Sequence, residues 1–251
     1  EFRRVLFRSI VAVAVSGGAD SLALAGAIAL EAKKLSLKII GVTVDHQLQS
    51  GSSEQALKVI EQLHQLGITE TIVKTVDVVM EDGLEASARR ARYAAFEEIS
   101  ADVIFLGHTK DDQAETVLLG LARGSGGRSL SGMAEKTGKN LRPLLGITRK
   151  ETVAACHELN VKPWQDPHNF DNSYLRVRVR EKVIPIMEEE IGPGIVDALV
   201  RTANLLRDDS DALDSQAREF WNKDQSLAVE DLEQLPRAVR TRVLRIAIRE
   251  F

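Results

Sequence analysis

The six residues Ser16-Gly17-Gly18-Ala19-Asp20-Ser21 carry two hydroxyls, a carboxylate and two glycines at which the backbone can turn sharply and approach a ligand. Ile10 to Val15, just before them, is an apolar run rich in β-branched residues and reads as a buried parallel strand. Leu22, Leu24, Ala25, Ile28 and Ala29, just after, recur at helical spacing. A strand, a glycine turn and a helix start present free N–H groups and a favourable dipole to an anion, and the expected anion is a phosphate. Capping of an ordinary turn by Ser16 or Asp20 is the plainer alternative. The stretch is not a Walker loop, which needs Gly-Lys-Ser/Thr, nor a Gly-x-Gly-x-x-Gly dinucleotide fingerprint.

A second group of reactive residues runs from Gly107-His108 to Thr116. Asp111, Asp112 and Glu115 crowd a predicted first helical turn, where the dipole alone favours acids. Asp112 and Glu115 are three apart and share a face, and two carboxylates there suit an ammonium group or a metal. Asp45-His46 closes a second strand; His46 either lines a nucleotide pocket or is structural. Arg89 and Arg92 lie one turn apart on a predicted helix, as catalytic cations or as a solvated face. Arg176, Arg178, Arg180 and Lys182 form a dense basic cluster. Alternation with Val177 and Val179 suits an amphipathic strand. The cluster can meet RNA phosphates or a bound nucleotide, or form ion pairs with Glu181 and Glu188 to Glu190.

The elements that must position these groups alternate. Strands are predicted at Ile10–Val15, Lys38–Val44, Thr71–Val79 and Asp102–Leu106, with helices at Ser50–Leu66, Leu84–Ile99 and Asp111–Leu121 between and after them. This is an α/β pattern: a parallel sheet with helices on both faces. The phosphate-loop candidate, Asp45-His46 and Gly107 to Asp112 all follow strands, at the carboxyl edge where open α/β sheets bind ligands. Leu121 to Gly127 is too glycine-rich to be regular and reads as a flexible loop. Gly192-Pro193-Gly194 breaks the chain before a long amphipathic helix from Ile195 to Phe220. Leu227 to Phe251 is a further helical unit bearing Arg237, Arg240, Arg242, Arg245 and Arg249.

Bulk properties narrow the function classes. A net charge of −4 gives no global basic signature, so any RNA contact must use a local patch. The single cysteine, Cys156, excludes a disulfide framework within the chain and a Cys-x-x-Cys metal or iron–sulfur site, and points to a reducing compartment. No apolar run approaches the ~20 residues of a membrane span, so no membrane partner is expected. Glu1 to Ser9, with Arg3, Arg4 and Arg8, make no secretory signal and are expected to be foreign to the domain. Thr241 to Phe251 stops without a cap, as in a fragment of a longer chain.

Taken together, the loop, the Asp-His pair, Leu84-Glu85-Ala86-x-Ala88-Arg89-x-x-Arg92-Tyr93, His108-x-x-Asp111-Asp112-Gln113-x-Glu115-Thr116, Arg142-Pro143-Leu144-Leu145 and Trp164-Gln165-Asp166-Pro167-His168-Asn169 resemble the tRNA(Ile)-lysidine synthase family. Its members are PP-loop enzymes of the N-type ATP pyrophosphatase group. The likeness spans about Val11 to Pro185. It implies a Rossmann-like PP-loop domain at 10–185, after an unmatched segment 1–9, and a helical linker with a partial tRNA-binding helical domain at 186–251. It implies ATP and Mg2+ as cofactors, and as substrates free L-lysine and the isoleucine tRNA with a CAU anticodon. The implied reaction joins lysine to the wobble cytidine: ATP adenylates the C2 oxygen with loss of pyrophosphate, then lysine attacks C2 and AMP leaves. Ser16, Gly17, Gly18, Ala19, Asp20, Ser21, His46, Gly107 and His108 would bind ATP, with Asp20 on the metal. Asp112 and Glu115 would bind lysine, Arg89 and Arg92 would act near the α-phosphate beside Asp20 and Asp112, and Arg176, Arg178 and Arg180 would meet tRNA, on the approach to a long linking helix rather than on a strand. The work would be cytoplasmic, and the resemblance leaves room for a homodimer. Two alternatives stand beside it: another PP-loop adenylating enzyme, such as a tRNA thiolase or an amidotransferase-linked synthetase, and an ATP-binding module without chemistry. The missing cysteine pair and glutaminase region weigh against the first, the acidic pair against the second.

Overall fold

The apolar run after Ile10 forms β1 (Val11–Ala14), which has parallel neighbours on both sides: β2 (Ile39–Asp45) and β4 (Val103–Leu106). The computed structural model describes residues 10–250 except 36, 50, 80–82, 125 and 224–226. The expected foreign segment Glu1–Ser9 thus lies outside the described residues, as do Ser50, the expected start of the second helix, and Ser125 of the expected loop.

Side chains of β1 alternate between two cores. Val11, Val13 and Val15 pack with Leu22, Leu24 and Ile28 of α1 (Ala19–Leu35), Val59 and Leu63 of α2 (Ser52–Gln65) and Cys156 of α6 (Arg149–Glu158). Ala12 packs on the other face with Ile40, Val42, Ile104, Leu106 and Phe96 of α3 (Leu84–Glu97). A strand covered on both faces has no polar side, so its sequence is a continuous apolar run rather than an alternating one.

Beyond β2 lies β3 (Glu70–Thr75); beyond β4 lies a short hairpin, β5 (Lys136–Thr137) and β6 (Asn140–Leu141). The order is β3-β2-β1-β4-β6-β5, parallel except for β5. The third strand ends at Thr75, short of the expected Val79, because Thr75 pairs with Asp45, the last residue of β2. Helix α4 (Lys110–Ala122) follows β4; of the stretch expected as a flexible loop, Leu121 and Ala122 still belong to α4 and Gly127 opens a one-turn helix, α5 (Gly127–Leu130).

The described residues fall into two compact units. One holds the sheet and takes the chain up to Gln113 together with Ala134–Val183. The other takes Ala114–Met133 and the chain from Ile184. In the second unit α9 (Ile195–Lys223), α10 (Val229–Gln234) and α11 (Arg237–Glu250) enclose Ala217, Trp221, Leu232, Val239, Val243 and Ala247. Trp221 Nε1 donates to Glu250 at 2.7 Å, and Arg242 pairs with Asp214 at 2.6 Å. α5 lies on α9: Arg128 pairs with Asp211 at 2.5 Å, and Arg207 donates to the carbonyls of Ser131 and Gly132.

The Arg-Val alternation at 176–180 is helical, not the strand its period suggests. α7 (Leu175–Arg178) runs into a π turn over Val179–Val183 and then α8 (Ile184–Glu190). Val177 and Val179 are both buried although two apart, so this short segment is covered on more than one side. Among the described residues no helix is long and apolar enough to cross a membrane.

Candidate active site

The turn after β1 is set by interactions with four other segments. Val15 N–H donates to Val42 O at 2.7 Å, and Ser21 Oγ donates to Gly18 O at 2.9 Å while accepting the Ser16 N–H at 3.2 Å. Ser21 therefore pins the loop from inside it. Gly17 sits at φ +87°, and a Cβ there would stand 2.9 Å from Val59 Cγ2. Trp164 N–H donates to Gly17 O at 2.8 Å. Because the peptide is planar and trans, the Gly18 N–H points away from Trp164. On the other side, a Cβ on Gly107 would lie 3.0 Å from the backbone of Asp20 and Ser21, so the end of β4 touches the start of α1. The chain winds outward from β1 through β2 to β3 in one direction and returns at β4 in the other; the loop sits at that switch point, where open sheets bind ligands.

A cleft of about 360 Å³ opens beside the loop at the ends of β1 and β2, lined by Ser16, His46, Gln49, Trp164 and Asp166 among others. Gln49 Nε2 donates to Asp166 at 3.1 Å across it. Asp45 is a turn residue: it accepts from Gln47 N–H and Ser53 Oγ, both at 2.9 Å. That turn directs His46 to the cleft. Burial, with the nearby Arg92 charge, lowers the basicity of His46, whose buried Nδ1 has no hydrogen-bond partner.

Two carboxylates meet beside the loop. Asp20 accepts from Thr152 Oγ1 at 2.5 Å and from Arg149 Nε at 3.3 Å. Asp112 accepts from the same guanidinium, Nη2, at 3.1 Å, and lies 4.0 Å from Arg180. Local sequence fixes both ends of this bridge. Thr109 caps α4, its N–H and hydroxyl reaching Asp112 at 2.9 and 3.1 Å. Thr148 caps α6 in a capping box with Glu151, and the Arg149 N–H donates to Asp111 at 2.7 Å. Burial pushes the Asp20 carboxyl above its ordinary range despite the Thr152 bond and the Arg149 charge. At Asp112 burial pulls the same way, but Arg149 and the Thr109 N–H outweigh it and hold the group below its ordinary range. Glu115, one turn further along α4, is fully buried and belongs to the second unit.

Cations surround this pair. Arg89 and Arg92 lie over the Tyr93 ring, 4.9 and 6.0 Å from its centroid. The Tyr93 hydroxyl accepts from Arg142 Nη2 at 3.2 Å; Arg142 is itself buried and donates to Ala134 O and Thr137 Oγ1. Arg176 is close enough for its charge to act on Asp112, whereas Arg178 ties the carbonyls of Asn172 and Ser173 at 2.7 and 2.8 Å. Burial, with the charges of Arg92, Arg142 and Arg89, drives His108 down to about 3 against the pull of Asp112. A neutral imidazole and several arginines beside a helix N-terminus make a partly dry, electropositive site, suited to a polyphosphate and to negative charge developing on it.

A PP-loop domain profile matches residues 4–187. A protein of Thermobifida fusca named tRNA(Ile)-lysidine synthase is 52% identical over 246 residues, 94% of this chain and 76% of its own length. The chain belongs to the tRNA(Ile)-lysidine synthase family. The relative of that name in Leifsonia xyli is 47% identical, with 96% of this chain and 76% of its own length covered. Among solved structures, the U34-tRNA thiolase NcsA of Methanococcus maripaludis, which carries a [4Fe-4S] cluster, superposes with a TM-score of 0.65 at 20% identity, covering 80% of this chain and 72% of that one; it shows the shared fold.

For a chain of the tRNA(Ile)-lysidine synthase family, the structure gathers Ser16 to Ser21, Gly107, His108, Asp112, Arg89, Arg92, Arg176 and Arg180 around one edge of the sheet, with His46 on the adjoining cleft. Arg178 instead braces its own loop. Sequence reasoning missed Arg149 and Thr152, and it placed Tyr93, Arg142 and Trp164 in motifs without giving them a role. The only local signal for Arg149 was the Thr148-x-x-Glu151 capping box, which announces a helix start there.

Proposed function

We propose that this chain ligates free L-lysine to the wobble cytidine of the isoleucine tRNA with a CAU anticodon, consuming ATP and releasing AMP and pyrophosphate. Membership of the tRNA(Ile)-lysidine synthase family supports the overall reaction. The observation that carries the site is the shared guanidinium: Arg149 joins Asp20 of the phosphate loop to Asp112 of the acidic helix. A module that only bound ATP would have no use for the second carboxylate. A thiolase holding an iron–sulfur cluster would need several thiolates, and the chain has one cysteine.

In this reading the Gly17–Gly18 backbone and Ser16 cradle the departing pyrophosphate. Arg89 and Arg92, stacked on Tyr93, face charge developing at the α-phosphate. Asp112, ionised, receives the lysine ammonium, with Glu115 as the second acid of that helix. His108 stays neutral, and the cleft by His46 and Trp164 takes the nucleoside. Among the described residues no cluster of three acidic, histidine or cysteine groups forms a metal cage. The Asp20 carboxylate fits Mg2+ in the usual way for a nucleotide-borne ion, one hard oxygen donor beside phosphates and waters, and the ion would neutralise phosphate charge. Arg176 and Arg180 serve the nucleotide side. The helical segment 186–251, with Arg237, Arg245 and Arg249 exposed, contributes to gripping the tRNA, and the work takes place in the cytoplasm.

The test supplies labelled ATP, labelled lysine and a CAU-anticodon isoleucine tRNA transcript, omitting each in turn. Pyrophosphate release that needs the tRNA, followed by entry of lysine into it, is the expected result. Release that needs a different acceptor, or none, refutes the assignment.

A further inference from the structure

We infer that Arg149 is a positioning residue that couples the two half-sites, holding the phosphate-loop carboxylate and the amine-side carboxylate in one shared grip. The inference rests on the function proposed above for Asp20 and Asp112. Three observations carry it. The guanidinium engages both acids at once, Nε to Asp20 at 3.3 Å and Nη2 to Asp112 at 3.1 Å. Its own position is over-determined: the Thr148–Glu151 capping box fixes the turn, the Arg149 N–H is held by Asp111 at 2.7 Å, and Lys110 N–H is held by Ile147 O at 2.8 Å. The starts of α4 and α6 are thereby laced together by one backbone–backbone bond and one backbone–carboxylate bond. Finally, the Thr152 hydroxyl, one turn along α6, reaches Asp20 at 2.5 Å and the Arg149 carbonyl at 2.9 Å, and of the two acids it bonds Asp20 only. One helix therefore touches the phosphate-loop acid at two points and the amine-side acid at one.

A planar fork with fixed donor directions can hold two carboxylates at a set separation; an ammonium, a point charge, satisfies one of them well. Occupancy of one half-site changes how Arg149 divides itself between the acids, so each substrate alters the affinity for the other, and that coupling is reciprocal. Arg149 need touch neither substrate for this. Its neighbour Thr152 supplies the internal control, because it reaches Asp20 and not Asp112.

The experiment uses the full chain as wild type, Arg149→Lys, Arg149→Met and Thr152→Val, each checked by circular dichroism and a thermal melt. Binding of ATP with Mg2+ is followed by tryptophan fluorescence, since Trp164 lines the cleft. Lysine KM and kcat are measured with tRNA at low and saturating ATP. In the wild type the lysine KM is expected to shift with ATP, and in Arg149→Met that dependence collapses while the lysine KM rises about tenfold, within the usual range of roughly 5- to 150-fold for coupled sites. Arg149→Lys restores binding of ATP but not the dependence. Thr152→Val weakens ATP binding and leaves the lysine KM within twofold. A folded Arg149→Met with an unchanged lysine KM, or Thr152→Val and Arg149→Met behaving alike, overturns the inference. If Arg149→Met does not fold, Arg149→Lys decides: full retention of the ATP dependence overturns the coupling. A wild type that transfers no lysine would instead remove the function assignment, a different failure visible before any variant is made.

Discussion

Gly17 and Gly18 are neighbours in one loop, yet replacing them with alanine should have different consequences. Gly17 has φ +87°, where an alanine costs about 1–2 kcal/mol. Its Cβ would also meet Val59 Cγ2 at 2.9 Å and Gln55 Nε2 at 3.2 Å. Gln55 can swing aside, but Val59 is β-branched and buried at 1% exposure, so relief requires moving α2 or the loop. Overpacking of that kind costs about 1–3 kcal/mol, for a total of about 2–5 kcal/mol in Gly17→Ala. Gly18 has no positive φ, and its Cβ would meet only Ser16 Oγ at 3.7 Å, an ordinary contact. Gly18→Ala should therefore stay within about 0.5 kcal/mol of wild type, as for an unstrained surface change, while losing ATP affinity through crowding of the phosphate. Urea unfolding followed by circular dichroism measures the first quantity, and ATP titration the second. For a chain of this size the Gly17→Ala loss corresponds to a Tm lower by about 4–20 °C. Equal stability for the two variants would refute the reasoning, because it would mean that neither the backbone angle nor the Val59 contact constrains the loop.

Three further outcomes follow from the site. Asp112→Asn keeps the shape but leaves Arg149 short of a charge partner; stability should fall by about 1–3 kcal/mol, discounted for the partial exposure of Arg149, and lysine transfer should fall far more than ATP binding, in unfolding and single-turnover assays respectively. His108, held near 3 in the fold against 6.5 when free, favours the folded state fully above pH 6.5 and loses that contribution as pH falls toward 3, because the unfolded chain takes up the proton first. His108→Gln should therefore flatten the decline of urea midpoints between pH 7 and 5 by at most about 1.4 kcal/mol per pH unit; an unchanged slope would count against a neutral buried imidazole. Tyr93→Phe removes the acceptor of Arg142 but keeps the ring under Arg89 and Arg92, so it should cost about 1–2 kcal/mol of stability with adenylation largely kept, whereas Tyr93→Leu should lose adenylation as well, measured by pyrophosphate release.

The central strands and the phosphate loop were legible because their causes are local. The run from Val11 to Val15 is apolar on both faces, and the loop's residue types state their own turn. Much of the rest depends on partners distant in sequence. Arg149 lies 129 residues from Asp20 and 37 from Asp112, and nothing within its own window marks it as a bridge. The β5–β6 hairpin has two residues per strand, too few to show any period. The Arg176–Arg180 stretch shows a period that misleads, since β-branched valines two apart favour a strand until the π turn after Arg178 is known. His46 and Asp45 read alike in the sequence, and only the hydrogen bonds from Gln47 and Ser53 reveal that one builds the turn that aims the other.

The interleaving of the two units has a consequence for how the chain is made. α5 and the turn after it leave the ribosome early, yet Arg207, which holds the Ser131 carbonyl, is 76 residues downstream. At about 5–20 residues per second, translation keeps that strip waiting for roughly 4–15 s before its partner helix exists. The sheet around β1 has by then received most of its strands and helices. Nascent molecules thus pass through a stage with a nearly finished nucleotide-binding body and an unclaimed stretch of chain, and that interval is when a chaperone or a protease would have its opportunity.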